Sequence, residues 1–279
     1  MAQTKHQIQS LLAEASARPL HRFGQNFMID QNLVRLVAAA GEPTAGDVLI
    51  EVGPGTGTLT EELLASGASV VAVEIDRGLA DLNRRQFAQS PNFSLIEGDA
   101  LAGKHALNSQ LLSTIGASTS AGRPVKLIAN LPYNIASPLV IESLIAGVDL
   151  LAFTVQKEVA DRLRASPANS QDYGPLSVMS QLLAEVEVLR TLPPQAFWPM
   201  PKIASALVRL RRRDQLGASA GAFGRFVHGV FSFRRKTLRN SLGEMGVDAD
   251  AILAAAGLDG RLRPEAFSPG ELLRLFHAD

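Results

Sequence analysis

Val48-Leu-Ile-Glu-Val-Gly-Pro-Gly-Thr-Gly57 decides how the rest of the chain is read. Its first five residues are β-branched or apolar apart from Glu51, the composition of a short strand buried on both faces. The glycines at 53, 55 and 57 then break the strand, because they let the backbone take positive φ and approach a ligand closely. Thr58-x-x-Glu61 follows in the pattern of a capping box, which predicts a helix starting near Thr58. A tight strand-to-helix turn would account for the loop alone. The next strand ends in Glu74-Ile-Asp76, however, 21 residues after Gly53. An acid at that spacing can accept hydrogen bonds from both hydroxyls of a ribose, so loop and acid together point to a nucleotide-type ligand.

Outward from this unit, short β-rich runs alternate with helical patterns. The predicted strands are Asp47–Val52, Ser69–Glu74, Phe93–Glu97, Val125–Ala129, Ala152–Gln156, Glu185–Arg190 and Ser205–Arg211. Helix-length segments separate the first five, as parallel strands with crossover helices require. Only Thr191–Ala204, with prolines at 193, 194, 199 and 201, lies between the last two, so that pairing is expected to be antiparallel and loop-linked. The expected fold is α/β: a Rossmann-like, seven-stranded, mostly parallel sheet, followed by a small all-helical domain. In that domain Phe223, Phe226, Val227, Val230 and Phe231 mark one helix face, and Ser268-Pro269-Gly270-Glu271 caps a terminal helix. The expected organisation is a flexible leader (1–21), a catalytic domain (22–213), a linker (214–222) and the helical domain (223–279). The Ser/Gly/Ala-rich stretch Lys104–Pro124 reads as a surface insertion.

Composition removes whole classes of function. The 279 residues include no cysteine, which excludes disulfides, thiolate metal sites and cysteine nucleophiles. The five histidines are scattered and form no HExxH, so no metal site is expected. No apolar run reaches the ~18 residues of a spanning helix. Neither a secretory h-region nor a transit-peptide bias opens the chain, and the expected location is cytoplasmic.

The glycine loop is GxGxG, with Glu51 two residues before it, rather than the GxGxxG that binds a dinucleotide pyrophosphate. It resembles the first motif of class I S-adenosyl-L-methionine-dependent methyltransferases, whose cofactor carries no phosphate. Asp99, after the third strand, can accept from an adenine amino group, although a turn-forming Asp is the plain alternative. At the end of the fourth strand stands Asn130-Leu131-Pro132-Tyr133, which resembles the (N/D)-x-P-(Y/F/W) motif of methyltransferases acting on exocyclic amines. Such an amine is a poor nucleophile because its lone pair is delocalised into the ring. The Asn130 side-chain oxygen and the Leu131 or Pro132 carbonyl can accept its N–H bonds and favour a pyramidal nitrogen, while Tyr133 can stack on an extruded base.

Five segments occur in the order of one family: Arg22-Phe-Gly-Gln-Asn-Phe-Met28, the glycine loop, Asn130–Tyr133, Phe197-Trp-Pro-Met-Pro-Lys202 and Phe233-Arg-Arg-Lys-Thr-Leu-Arg-Asn-Ser-Leu242. Together they resemble the bacterial small-subunit (16S) ribosomal RNA adenine N6,N6-dimethyltransferases over about residues 20–245. The resemblance implies dimethylation of two adjacent adenosines near the 3′ end of 16S rRNA, late in subunit assembly. It implies cofactor contacts at Asn26, Met28, Gly53, Gly55, Glu74, Asp99 and Asn130, catalytic roles for Asn130, Leu131, Pro132 and Tyr133, and Phe197 as the second face of a base sandwich. Met28 replaces the family's usual Leu, a change that a shape-filling role tolerates.

The whole chain is neutral, with 27 Lys+Arg against 27 Asp+Glu. Between Lys202 and Arg239, however, ten basic residues face one acid, Asp214, so that stretch is net +9 and the remainder net −9. Arg211–Arg213 taken alone reads as a solvated face. Arg22, Lys202, Arg234, Arg235, Lys236 and Arg239 are the candidate RNA contacts, supplying salt-dependent affinity for 16S rRNA in the small subunit or its precursor. The expected protein is a monomer. Three alternatives stay open at this point: the related 23S rRNA adenine methyltransferases of antibiotic resistance, an assembly factor whose binding role dominates, and an NAD-dependent oxidoreductase.

Overall fold

The structure is a computed structural model describing residues 3–15, 17–19, 25–103, 106–167, 171–233 and 235–278. Its first half runs α1 (Lys5–Glu14), β1 (Phe27–Met28), α2 (Gln31–Ala40), β2 (Val48–Val52), α3 (Thr58–Leu64), β3 (Ser69–Glu74), α4 (Arg77–Gln86), β4 (Phe93–Glu97), β5 (Leu101–Gly103), β6 (Ala106–Leu107), α5 (Ser109–Ser120) and β7 (Val125–Asn130). There follow α6 (Ala136–Ile145), β8 (Leu150–Gln156), α7 (Lys157–Arg164), α8 (Pro175–Leu183), β9 (Ala184–Leu192), β10 (Phe197–Trp198) and β11 (Ser205–Arg212). Four helices close the chain: α9 (Ala220–Ser232), α10 (Leu238–Glu244), α11 (Ala249–Ala256) and α12 (Pro269–His277).

Seven strands form one sheet in the order β4-β3-β2-β7-β8-β11-β9. The pairs from β4 to β8 are parallel, as expected of the first five predicted strands, and β11 runs antiparallel to β8, a pairing the sequence does not specify. Strand order reverses between β2 and β7, and the carboxyl ends of strands at such a switch point are where open α/β sheets hold ligands. All five residues of β2 are buried, which is why its sequence is nearly continuous in apolar side chains. A separate two-stranded pair joins β1 to β10, with Phe27 opposite Trp198 and Met28 opposite Phe197.

The chain divides into two compact units, one of residues Met1–Ala160 with Glu187–Arg212 and one of Asp161–Val186 with Arg213–Asp279. The expected boundary at 213/214 is therefore incomplete, because α8 belongs with the helical unit. Met179 of α8 lies against Gly224 of α9, and the Tyr173 hydroxyl donates to the Phe267 carbonyl at 2.8 Å. All five apolar residues of the predicted α9 face are buried, and the Ser268–Glu271 capping box opens α12. Residues 217–219 form a short 3-10 turn leading into α9 at Ala220, rather than an open linker.

Two further expectations are corrected. The leader contains α1, opened by a Thr4/Gln7 capping box, and Ile8 and Leu12 are buried against Phe27, Leu79 and Leu82. Its apolar stripe, Ile8 and Leu12 with Leu11 partly buried beside them, is too short to stand out from a polar segment. The presumed insertion contains α5, capped by the Asn108 side chain and buried through Leu111 and Ile115, so it is the crossover helix between β4 and β7. Its Ser, Thr and Gly content hides the helix from propensity. Lys104 and His105 lie outside the described residues.

Candidate active site

The glycine loop leaves β2 at the switch point with Gly53, Gly55 and Gly57 all at positive φ. At Gly55 the requirement is double. Its φ is +60°, and a Cβ there would sit 2.9 Å from Phe27 Cε1. Carboxamides hold the loop from behind. Asn83 Nδ2 donates to the carbonyls of Gly55 and Leu79, both at 2.8 Å, and Gln3 Nε2 donates to the Thr56 carbonyl at 2.8 Å. The helix starts at Thr58 as predicted, but the Thr58/Glu61 capping box does not form: Gly57 is the cap and Glu61 accepts from Gln86 Nε2 instead. Thr58 Oγ1 is buried on the cleft with no hydrogen-bond partner among the described residues.

The loop, β1 and the ends of β3 and β7 enclose a cleft of about 910 Å³, counted out to its open mouth. Asn26, Met28, Gly53, Gly55, Glu74, Asp99, Asn130 and Pro132 all line it. Glu74 is only 3% exposed, and its two oxygens each accept one backbone N–H, from Gly55 at 3.2 Å and Asp76 at 2.9 Å. A carboxylate has about four acceptor sites, so acceptor capacity remains for a ribose hydroxyl. Burial pushes the Glu74 carboxyl up to about 7, and the neighbouring Asp76 charge acts in the same sense, against the backbone N–H groups of Asp76, Gly55 and Ile75. Glu51 lies deeper, 1% exposed, accepting from Thr60 Oγ1 at 2.6 Å; burial pushes it up to about 8. Asp99 is exposed at the rim and uses Oδ1 to accept the Leu101 N–H at 3.0 Å.

Asn130 is the last residue of β7, and both ends of its side chain are held. Nδ2 donates to the Asn26 carbonyl and Oδ1 accepts from Thr154 Oγ1, each at 2.5 Å. Leu131 is buried, and the Pro132 carbonyl accepts the Ile135 N–H at 3.2 Å. Tyr133 is half-buried with its hydroxyl bonded to Ser205 Oγ at 2.8 Å, and burial raises its phenol. Phe197 departs from expectation. At 2% exposed it is sealed in the cluster that includes Met28, Val34 and Leu207, and like Leu131 and Tyr133 it is not among the residues that line the cleft. Its pairing opposite Met28 in the β1–β10 ribbon turns the ring inward.

Of the candidate RNA contacts, Arg22 and Arg234 lie outside the described residues. Lys202 and Arg235 are exposed. Lys236 pairs with Glu244 and sits 5.3 Å from the Phe233 ring centroid, while Arg239 pairs with Asp250 at 2.5 Å. Much of the +9 stretch is neutralised locally: Arg209 meets Glu42 and Glu187, Arg211 meets Glu42, and Arg213 meets Glu185. Among the described residues no cluster of acids and histidines could hold a metal, and no helix is long and apolar enough to cross a membrane.

Gln3, Asn83 and Thr154 are site residues that the sequence alone does not mark. Each acts on the loop or on Asn130 through a tertiary hydrogen bond, and no local motif announces them.

Comparison with known proteins agrees with this geometry. Residues 18–278 match the family described as "Ribosomal RNA adenine dimethylase". "Ribosomal RNA small subunit methyltransferase A" of Hahella chejuensis is 40% identical over 259 residues, covering 91% of this chain and 90% of that protein. The protein of the same name from Pseudomonas syringae pv. tomato is 41% identical, covering 92% and 93%. Among solved structures, the 23S rRNA methyltransferase ErmE superposes with a TM-score of 0.62 at 28% identity, over 91% of this chain and 99% of that one. A dimethyladenosine transferase from Plasmodium falciparum reaches 0.67 at 20% identity, over 89% and 95%, a likeness of fold. By the match along nearly its whole length, the chain belongs to the ribosomal RNA adenine dimethylase family.

Proposed function

We propose that the protein dimethylates the N6 amines of two adjacent adenosines near the 3′ end of 16S rRNA, in the small ribosomal subunit or its precursor, late in assembly. The observation that carries this reading is the Asn130 carboxamide, fixed at the cleft edge beside the glycine loop and Glu74. Bound S-adenosyl-L-methionine supplies an electrophilic methyl group on a sulfonium. The chain's own residues account for the rest. Glu74 would receive the ribose hydroxyls on its remaining acceptor capacity, Asp99 at the rim would accept from the adenine amino group, and Asn26, Met28, Gly53 and Gly55 would shape the wall. Asn130 Oδ1 keeps one acceptor site for the target amine. Because the Pro132 carbonyl is already engaged with Ile135, the Leu131 carbonyl is the second acceptor. Two acceptors at one nitrogen localise its lone pair, and Tyr133 stacks on the extruded base. Phe197 packs behind Met28 and supports that wall. Catalysis is then alignment and electrostatics, with no covalent enzyme intermediate.

Phosphate contacts come from Arg22, Lys202, Arg234, Arg235, Lys236 and Arg239, in a cytoplasmic monomer whose 223–279 region is the main RNA-contacting part. The large-subunit alternative is disfavoured by identity: 40% and 41% to the small-subunit enzymes, against 28% to the 23S enzyme. The decisive experiment offers methyl-labelled cofactor with unmethylated small subunits and, separately, with free 23S rRNA. Dimethyladenosine in digests of the first alone is the expected result. Label only in the second would reverse the substrate assignment, and label in neither would end the enzymatic reading.

A further inference from the structure

Asn130 and Thr154 are partners in the parallel register of β7 and β8, so their side chains share a face of the sheet. Across the other side of β8 the same Thr154 is paired with Leu207. Its surroundings on that face are apolar, including Ile128, Ala152 and Leu207. Thr154 is 0% exposed, and among the described residues its hydroxyl has one partner, Asn130 Oδ1. A hydroxyl buried among aliphatic groups must donate somewhere, and here the acceptor is the group assigned to the target amine.

The orientation of the carboxamide follows from its other partner. The Asn26 carbonyl can only accept, so the nitrogen of Asn130 must face it. The oxygen is thereby directed to Thr154, whose O–H supplies the matching donor. Rotating the amide by half a turn would set two carbonyl oxygens against each other at Asn26 and would cost the Asn26 bond. With Thr154 and Asn26 both engaged, Asn130 keeps one lone pair on Oδ1 and one N–H, and it is held on the wall of the cleft.

We propose that Thr154 is a positioning residue for methyl transfer: its buried hydroxyl fixes the Asn130 carboxamide so that the remaining Oδ1 lone pair meets the target amine. The inference rests on the proposed role of Asn130. Thr154 touches neither substrate nor cofactor and acts only through that side chain.

The test compares Thr154→Val and Thr154→Ala, which lack the hydroxyl, with Thr154→Ser, which keeps it. Turnover and KM are measured on unmethylated small subunits, S-adenosylhomocysteine binding by calorimetry, and folding by thermal melts. The Val and Ala variants should lose about ten-fold in kcat, with KM and cofactor affinity within about two-fold of wild type. The Ser variant should recover most of the rate. The Ser and Ala pair differ in size by one oxygen, so their comparison holds even if Val packs poorly in the strand. Equal turnover in Val, Ala and wild type overturns the proposal, as does a Ser variant as slow as Ala. Asn130→Ala is the control that separates the two levels of argument. An inactive wild type overturns the enzymatic reading itself, whereas an active wild type with an active Asn130→Ala overturns only the role given to Asn130 and Thr154.

Discussion

Raising the pH from 6 to 8 should tighten cofactor binding about ten-fold, through Glu74. Without ligand, burial holds its carboxyl at about 7. The acceptor capacity left over from the backbone N–H groups binds ribose hydroxyls best when the carboxylate is ionised. At pH 6 only about one molecule in eleven is in that form, and at pH 8 about nine in ten, so the difference is about 1.4 kcal/mol. Calorimetric titration with S-adenosylhomocysteine at pH 6, 7 and 8, in buffers of different ionisation heat, measures both affinity and proton count. Release of about one proton per site is expected at pH 6, falling towards zero at pH 8. Glu74→Gln should bind weakly and without this slope. Glu51→Gln should keep it, because the Glu51 carboxyl faces Thr60. A flat affinity from pH 6 to 8 with no proton release would refute the reasoning, as would an unchanged slope in Glu74→Gln.

Four further outcomes follow from the same geometry. The folded values of Glu51 and Glu74, about 8 and about 7, lie above their ordinary 4.5, so the stability they add is complete below pH 4.5 and is lost as pH rises through those folded values. Urea unfolding of the ligand-free protein should therefore show stability falling between pH 5 and 8, on the order of 3 kcal/mol for each group; Glu51→Gln should flatten the trend, and a rise across that range would contradict it. Gly55→Ala places a methyl 2.9 Å from Phe27 Cε1 at φ +60°, and the left-handed backbone plus overpacking should cost about 2–5 kcal/mol; a denaturation midpoint like that of wild type would count against the loop geometry. Gln3→Ala orphans the buried Thr56 carbonyl and should cost about 1–3 kcal/mol, read as lower stability or weaker cofactor binding; if neither changes in calorimetry, α1 does not support the loop. Charge reversal at Lys202 and Arg235 should weaken binding to small subunits and flatten its dependence on salt by about one phosphate contact each; an identical salt slope in a filter-binding assay would clear both residues of a role.

The parallel half of the fold was legible chiefly because β2, β3 and β7 are buried along most of their length. Val48–Val52, Ser69–Glu74 and Val125–Asn130 are apolar enough to declare themselves, and their ends carry the glycine loop, Glu74 and Asn130. Elements whose identity depends on distant partners were not legible. β1 and β10 are two residues each and exist only as a pair. α5 lacks a strong apolar stripe, and α8 reads as part of the sheet domain until its packing against α9 is seen. The same division runs through the site. Asn130 is announced by its tetrapeptide, whereas Thr154 is an ordinary strand residue until the β7–β8 register sets it beside Asn130. The +9 stretch shows the limit of counting charge along a chain, since Arg209 and Arg211 spend theirs on Glu42, far away in sequence.

The β1–β10 ribbon also bears on how the protein is synthesised. Met28 stands on the cleft wall, yet its strand partner is Phe197. The early segment therefore waits for roughly 170 further residues before its pairing can close, a long loop that must be ordered first. A nascent chain interrupted before Phe197 carries the glycine loop, Glu74 and Asn130 but not the strand pairing that holds the wall beside them. Cofactor binding thus becomes a late event of translation, and resistance of the nascent chain to proteolysis in the presence of S-adenosylhomocysteine should rise only once β10 has left the ribosome.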